Sequence, residues 1–174
     1  MNLVMVIDMQ NGVFAQPRYD VANRVARINQ LTRAADRTLF IQHEEGAMVR
    51  GTLAWDLLPD LHRPADALSL NKTACDAFWQ TGLAALLDRL GVNQLTVCGC
   101  ATDYCVDTTI KVGASLGYRF TVAEDAHTTA DRRHVTAPQL IAQHNEVWAN
   151  LSGVPVPQVK GTEAILAAWR DAAR

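Results

Sequence analysis

Short continuous apolar runs alternate with segments of helical period along the chain. Leu3–Ile7 is apolar at every position, the mark of a strand buried on both faces of a sheet. Val21, Val25, Ile28 and Ala35 then fall on one side of a helix. Residues 38–42 read as a second strand. Residues 43–66 break the alternation: they carry Gly46, Gly51, Pro59 and Pro64, have weak periodicity, and predict a long loop of the kind that covers a site. Residues 67–70 predict a short strand. Thr81 reads as the N-cap of a helix with a stripe of Leu83, Leu86, Leu87 and Leu90 and a stop at Gly91. Residues 95–99 form the next strand, which leads through Cys100-Ala101-Thr102-Asp103-Tyr104-Cys105 into a helix ending near Gly117. Residues 119–123 predict a further strand. Thr136 and Gln139 are spaced as a capping box with Pro138 in the first turn, and Leu140, Ile141, His144, Val147, Trp148 and Leu151 share one face of the helix that follows. Residues 155–160 predict a last strand, and Thr162 a cap for a final helix bearing Ile165, Leu166 and Trp169.

Strand-helix alternation with apolar strands means a parallel sheet covered on both faces, an α/β chain in three layers. At ~100–200 residues per domain, residues 1–174 make a single domain. Hydrophobic residues are 49% and charged residues 20% of the chain, so disorder and coiled coil are excluded as readings. A net charge of −2 gives no reason to expect nucleic acid or an anionic membrane as partner. No apolar stretch approaches the ~20 residues of a membrane helix. The first residues lack a basic segment, and Asp8 interrupts their apolar run too early for a signal peptide. Cys75, Cys98, Cys100 and Cys105 match no paired zinc spacing, so a reduced cytoplasmic protein with free thiols is the expectation.

Ligands of such sheets bind at the carboxyl ends of strands, where three residues stand out. Asp8 ends the first strand; an acid after an apolar run is either a cap or loop anchor, or is paired and used. Lys72 follows the third strand, as a solvated surface charge or as a partner for Asp8 on the same edge. Cys105 follows the fourth. With Thr102 as N-cap, Cys105 sits in the first helical turn, where unpaired N–H groups favour a thiolate. The alternative for Cys105 is a small buried residue, which is the reading for Cys98 and Cys100. Together the acid, the lysine and the cysteine form a plausible nucleophilic set.

At these residues the chain resembles the isochorismatase-like cysteine hydrolases, a superfamily that includes nicotinamidases, carbamoylsarcosine amidohydrolase and isochorismatase. The resemblance rests on Val6-Ile7-Asp8-Met9-Gln10, on Asn71-Lys72-Thr73 followed by Ala77-Phe78, and on Cys98-Gly99-Cys100-Ala101-Thr102-Asp103-Tyr104-Cys105-Val106. Gly117-Tyr118 and Glu124-Asp125-Ala126 continue it in the family's order. It implies a six-stranded parallel sheet between helices, a triad of Asp8, Lys72 and Cys105, an oxyanion hole of the Ala101 and Cys105 backbone N–H groups, and a cis peptide before Ala101. Cys105 would attack an amide carbonyl, Asp8 would take its proton and pass it to the leaving amine, and Lys72 would hold Asp8 in place. Water would then hydrolyse the thioester.

Members that cleave a vinyl ether lack the cysteine, so Cys105 favours C–N hydrolysis of an amide or carbamoyl compound. An ester or vinyl ether cleaved on the same scaffold, or a non-catalytic binding protein, are the alternatives. Related nicotinamidases hold a metal through an Asp-x-His element after the second strand. Here that place reads Gln42-His43-Glu44-Glu45, with His62 further on, so neither a metal nor another cofactor is expected. Gln10, Phe14, Trp55 and Tyr104 match places near the family's pocket. His127 follows the predicted fifth strand and is the remaining candidate for substrate contact. The expected partners are a small-molecule substrate and a second or further copies of the chain in a homodimer or homotetramer, with residues 147–151 read either as a candidate interface or as buried core.

Overall fold

The computed structural model describes residues 1–174. Six strands form one sheet in the order β3-β2-β1-β4-β5-β6. They are β1 (Leu3–Ile7), β2 (Arg37–His43), β3 (Leu68–Lys72), β4 (Gln94–Cys100), β5 (Arg119–Thr128) and β6 (Gln158–Lys160), and every neighbouring pair is parallel. The helices are α1 (Val21–Ala34), α2 (Leu83–Leu90), α3 (Asp107–Ser115), α4 (Ala137–Ala149) and α5 (Thr162–Ala172). Successive side chains of β1 leave the sheet on opposite faces. Leu3, Met5 and Ile7 join Leu83, Leu87, Ile110 and Trp148 in one core. Val4 and Val6 join Val25, Ile28, Leu31 and Ile165 in the other. Helices α2, α3 and α4 therefore cover one face and α1 and α5 the other, which is the three-layer arrangement that the alternation predicts. No helix is long and apolar enough to cross a membrane.

Several boundaries move for physical reasons. Residues 155–157 stay outside β6, because Pro155 and Pro157 have no N–H to give a ladder. β3 runs on to Lys72, which pairs with His43. β5 extends past residue 123 because its register against β4 slips: Val122 faces Val97, but His127 faces Gly99. The strand bulges over the intervening residues and then resumes. His127 is thus a strand residue, not a loop residue.

Three predicted caps differ. Gly82 precedes α2, and the Thr81 hydroxyl, one residue earlier, donates to the Ala77 carbonyl and accepts from Leu83 N at 3.3 Å. Gly161 precedes α5, while the amide and hydroxyl of Thr162 both donate to Asp125 Oδ1. Thr102 opens a turn of π-helix, Thr102–Val106, whose preceding residue is Ala101. The Thr136–Gln139 capping box of α4 is present with both of its hydrogen bonds.

Residues 44–67 contain no regular element, as expected of a long loop, yet they are firmly tied down. Asn11 N donates to Asp56 O at 2.9 Å, Gly12 N to Ala54 O at 2.7 Å and Leu58 N to Met9 O at 2.9 Å. Leu57 and Leu61 bury their side chains in the α1 core. Trp148, the largest side chain of the candidate interface, is fully buried with its indole N–H on Asp107 Oδ1 at 2.8 Å. It belongs to the core of the chain itself.

Candidate active site

The order of strands reverses direction between β1 and β4, and the crevice at their carboxyl ends is where this fold exposes a site. Gly99 makes that crevice tight. It sits at φ +120° beside Ile7, and a Cβ there would come within 2.6 Å of the Ile7 backbone nitrogen, so only glycine lets β4 lie so close to β1. The Cys100–Ala101 peptide that follows is cis, as the resemblance implies. The π turn then swings Cys105 back over the sheet edge: Val106 N bonds to Ala101 O, one residue further than an α-helix allows. Cys105 is therefore not in the first turn of an α-helix, and its sulfur is governed by side chains.

Those side chains come from the ends of neighbouring strands. Lys72 ends β3, His43 ends β2 and Asp8 follows β1 with φ +51°. Lys72 Nζ lies 3.0 Å from Asp8 Oδ2, 3.2 Å from Cys105 Sγ, 2.8 Å from His43 Nδ1 and 2.9 Å from the Ala74 carbonyl. An ammonium has three hydrogens, so these four neighbours cannot all accept at once. The sulfur is the weakest acceptor. It retains its own hydrogen, which can pass to Asp8, whose Oδ1 is buried without another partner. The ammonium can only donate, so His43 Nδ1 accepts and its ring proton sits on Nε2, facing Glu45 Oε2 at 3.1 Å. A chain of hydrogen bonds thus runs from the exposed Glu45 to the buried thiol.

Burial pushes the Asp8 carboxyl above its ordinary range, against the pull of the Lys72 charge. Burial and then the Asp8 charge push the Cys105 thiol up, again opposed by Lys72. A raised carboxyl beside a protonated thiol is a better proton acceptor than an ordinary one, which is what a general base requires. Asp8, His43 and Cys105 bring their potential ligand atoms within 4.8 Å of one another, but the Lys72 ammonium is within hydrogen-bond distance of all three. A cation already holds the position a metal would need.

Over this set lies a cleft of about 270 Å³ lined by Asp8, Arg18, His43, Ala101, Tyr104 and Cys105, with Gly12, Val13, Glu45, Met48, Cys100 and Arg132 on its walls. Tyr104 is half exposed, and its ring carries the Arg132 guanidinium 4.7 Å from its centre. Arg132 is itself held by Asp103, through Nε at 2.9 Å and Nη2 at 3.2 Å. Burial raises the Asp103 pKa, but hydrogen bonds from Arg132 and Thr129 outweigh this and hold it below its ordinary value.

Gln10, Phe14, Trp55 and His127 do not line the cleft. Gln10 is fully buried and works on the backbone, receiving His43 N at 2.8 Å and donating to His43 O and Trp55 O. It fixes the residue that touches Lys72. Trp55 gives its indole N–H to Asn71 Oδ1, and Phe14 packs against the α1 core. His127 lies behind the Thr102–Val106 turn, between Thr102 Oγ1 at 2.7 Å and Asn145 Oδ1 at 2.8 Å. Three residues of the site escape the sequence reading as functional groups: His43, Arg18 and Arg132. For His43 a signal existed, since it ends a strand on the same edge as Asp8; the two arginines lie in loops with no period to place them. Cys98 and Cys100 are buried, as expected, and burial pushes the Cys100 thiol up to about 12.

The family model for the isochorismatase domain matches residues 2–148. The chain belongs to the isochorismatase family. Among curated relatives, streptothricin hydrolase of Streptomyces noursei is 33% identical over 74% of this chain and 54% of its own length. The chain thus spans about half of that protein. The uncharacterized isochorismatase family protein YddQ of Bacillus subtilis is 27% identical over 94% of this chain and 97% of its own length. Ureidoacrylate amidohydrolase RutB of Caulobacter vibrioides is 34% identical, over 45% of this chain and 35% of its own. In three dimensions the chain superposes on a crystal structure of an isochorismatase family protein with a TM-score of 0.84 at 30% identity, covering 92% of this chain and 98% of that one. N-carbamoylsarcosine amidase from Thermoplasma acidophilum shares the fold, with a TM-score of 0.77 at 17% identity over 94% of this chain and 98% of its own.

Proposed function

We propose that the protein is a cysteine hydrolase that cleaves a C–N bond of a small amide or carbamoyl compound through a thioester. The observation that carries this reading is the Lys72 ammonium, within hydrogen-bond distance of both Asp8 and the Cys105 sulfur in a buried pocket. Asp8 takes the thiol proton, and Lys72 stabilises the resulting thiolate. The sulfur attacks the carbonyl carbon, and the oxyanion that forms is received by the backbone N–H groups of Ala101 and Cys105. A well-aimed oxyanion donor lowers such a barrier by on the order of 3 kcal/mol. The C–N bond breaks as Asp8 returns its proton to the departing nitrogen, leaving an acyl group on sulfur. Water, deprotonated by Asp8, then hydrolyses the thioester and regenerates the thiol. The amidohydrolase names among relatives support amide hydrolysis as the reaction type. The expected working form is an oligomer of the chain in the cytoplasm, with a small-molecule substrate and no metal.

The test is ammonia release from small amides, ureido compounds and nicotinamide by the wild-type protein and Cys105→Ala, each treated with chelator. Release that vanishes in the variant upholds the thiol route. Release that persists removes Cys105 as nucleophile and favours cleavage of a bond that needs no thiolate.

A further inference from the structure

Arg18 stands out among the residues of the cleft. Its Nε is buried and has no hydrogen-bond partner. No carboxylate of the chain forms an ion pair with it. The other charges on the cleft are matched: Lys72 by Asp8, Arg132 by Asp103, and Glu45 by the ring N–H of His43. A desolvated guanidinium N–H without an acceptor costs free energy, and a ligand in the cleft that carries an acceptor would offset that cost. The backbone beside it is fixed. Tyr19 N donates to Thr129 O at 2.9 Å, and Thr128 Oγ1 donates to Tyr19 O at 2.5 Å, so the following residue is clamped to the end of β5. The same cleft holds the Cys105 thiol.

We propose that Arg18 binds a carboxylate of the substrate, so that the compound hydrolysed is a small amide or ureido acid and not a neutral amide. This rests on the reading of Cys105 as the nucleophile of that cleft. A planar guanidinium presents Nε–H and an Nη–H side by side, a fork that fits the two oxygens of a carboxylate. At about 270 Å³ the cleft is smaller than the ~300–1,000 Å³ of sites for drug-sized ligands, so the scissile carbonyl and the carboxylate lie only a few bonds apart. Arg132, by contrast, has its Nε and Nη2 committed to Asp103 and shapes the wall.

The experiment separates binding from catalysis. Oxamate, malonamate, succinamate and ureidoacetate are titrated calorimetrically into Cys105→Ala protein, each beside its uncharged counterpart in which an amide or methyl ester replaces the carboxylate. At least one acid binds roughly tenfold or more tightly than its counterpart, the size of one charge-assisted hydrogen bond. Adding Arg18→Gln abolishes that ratio, and Arg18→Lys, which keeps the charge but loses the fork, retains only part of it. Circular dichroism and melting confirm that each variant is folded. If no acid binds more tightly than its neutral counterpart, or if the preference survives Arg18→Gln, the proposal is overturned. Turnover of the same compounds by wild-type protein is read separately. Acid binding without turnover would count against the hydrolase reading and leave the carboxylate site standing, whereas turnover of neutral amides alone would do the reverse.

Discussion

His127 gives a stability prediction whose size follows from its surroundings. It is fully buried between Thr102 Oγ1 and Asn145 Oδ1, with its ring edge toward Trp148 at 5.1 Å between centres. Asn145 Oδ1 accepts, so Nε2 carries the proton and Nδ1 accepts from the Thr102 hydroxyl. Burial pushes the pKa of His127 down to about 4, with the Asn145 hydrogen bond opposing it, from an unfolded value of 6.5. Between these values the unfolded chain binds a proton that the native protein refuses, so stability rises with pH and falls on acidification. The contribution is intact above pH 6.5. By pH 5 about 2 kcal/mol of it is lost, and roughly 3 kcal/mol by pH 4, at 1.36 kcal/mol per pKa unit. The assay is urea unfolding of wild-type protein and His127→Gln at several values between pH 7.5 and pH 4.5. Taking the difference between the two proteins cancels the carboxylates they share. That difference should shrink by about 2 kcal/mol from pH 7.5 to pH 5. A difference that stays constant with pH would refute the reasoning, since it would mean that His127 titrates in the native state as it does unfolded. Because Thr102 opens the turn that carries Cys105, a proton forced onto Nδ1 also removes the acceptor that holds this turn.

Two further substitutions probe the sheet edge. Gly99→Ala puts a side chain at φ +120° and against the Ile7 backbone, so it should destabilise by more than about 4 kcal/mol and leave little soluble protein; a wild-type urea midpoint would show that β4 can move away from β1. Lys72→Met leaves Asp8 buried without its cation and should cost about 3–5 kcal/mol in urea unfolding, while Asp8→Asn combined with Lys72→Met should recover much of that loss without recovering ammonia release. Equal destabilisation in the single and double variants would mean that the ion pair is not what Lys72 contributes.

The fold was legible in the sequence because its signals are local. Five apolar residues before Asp8 make a buried strand whatever surrounds them, and Thr136 with Gln139 caps α4 with no help from the rest of the chain. The boundaries that moved depended on partners: β3 lengthens because β2 lies beside it, and β5 resumes after its bulge because β4 still offers a ladder. The site divides in the same way. Asp8, Lys72 and Cys105 could be named because each follows or ends a strand and lies in a motif, and Asp8 and Cys105 meet around the Lys72 ammonium. His43, a further partner of that ammonium, ends a strand as Lys72 does, but the choice of Nδ1 for Lys72 and Nε2 for Glu45 follows only from where the strands place them. Gln10, Phe14, Trp55 and His127 lie at the right sequence positions yet turn away from the cleft, because a side chain's direction is set by packing. The sequence by itself determined the elements and their layering and marked Asp8, Lys72 and Cys105 as candidates, since hydrophobic period and strand ends are properties of neighbouring residues. Tertiary structure alone decided how protons are shared among Asp8, Lys72, His43 and Cys105 and which arginine is left unpaired, since these depend on distances of a few ångströms between residues far apart in the chain.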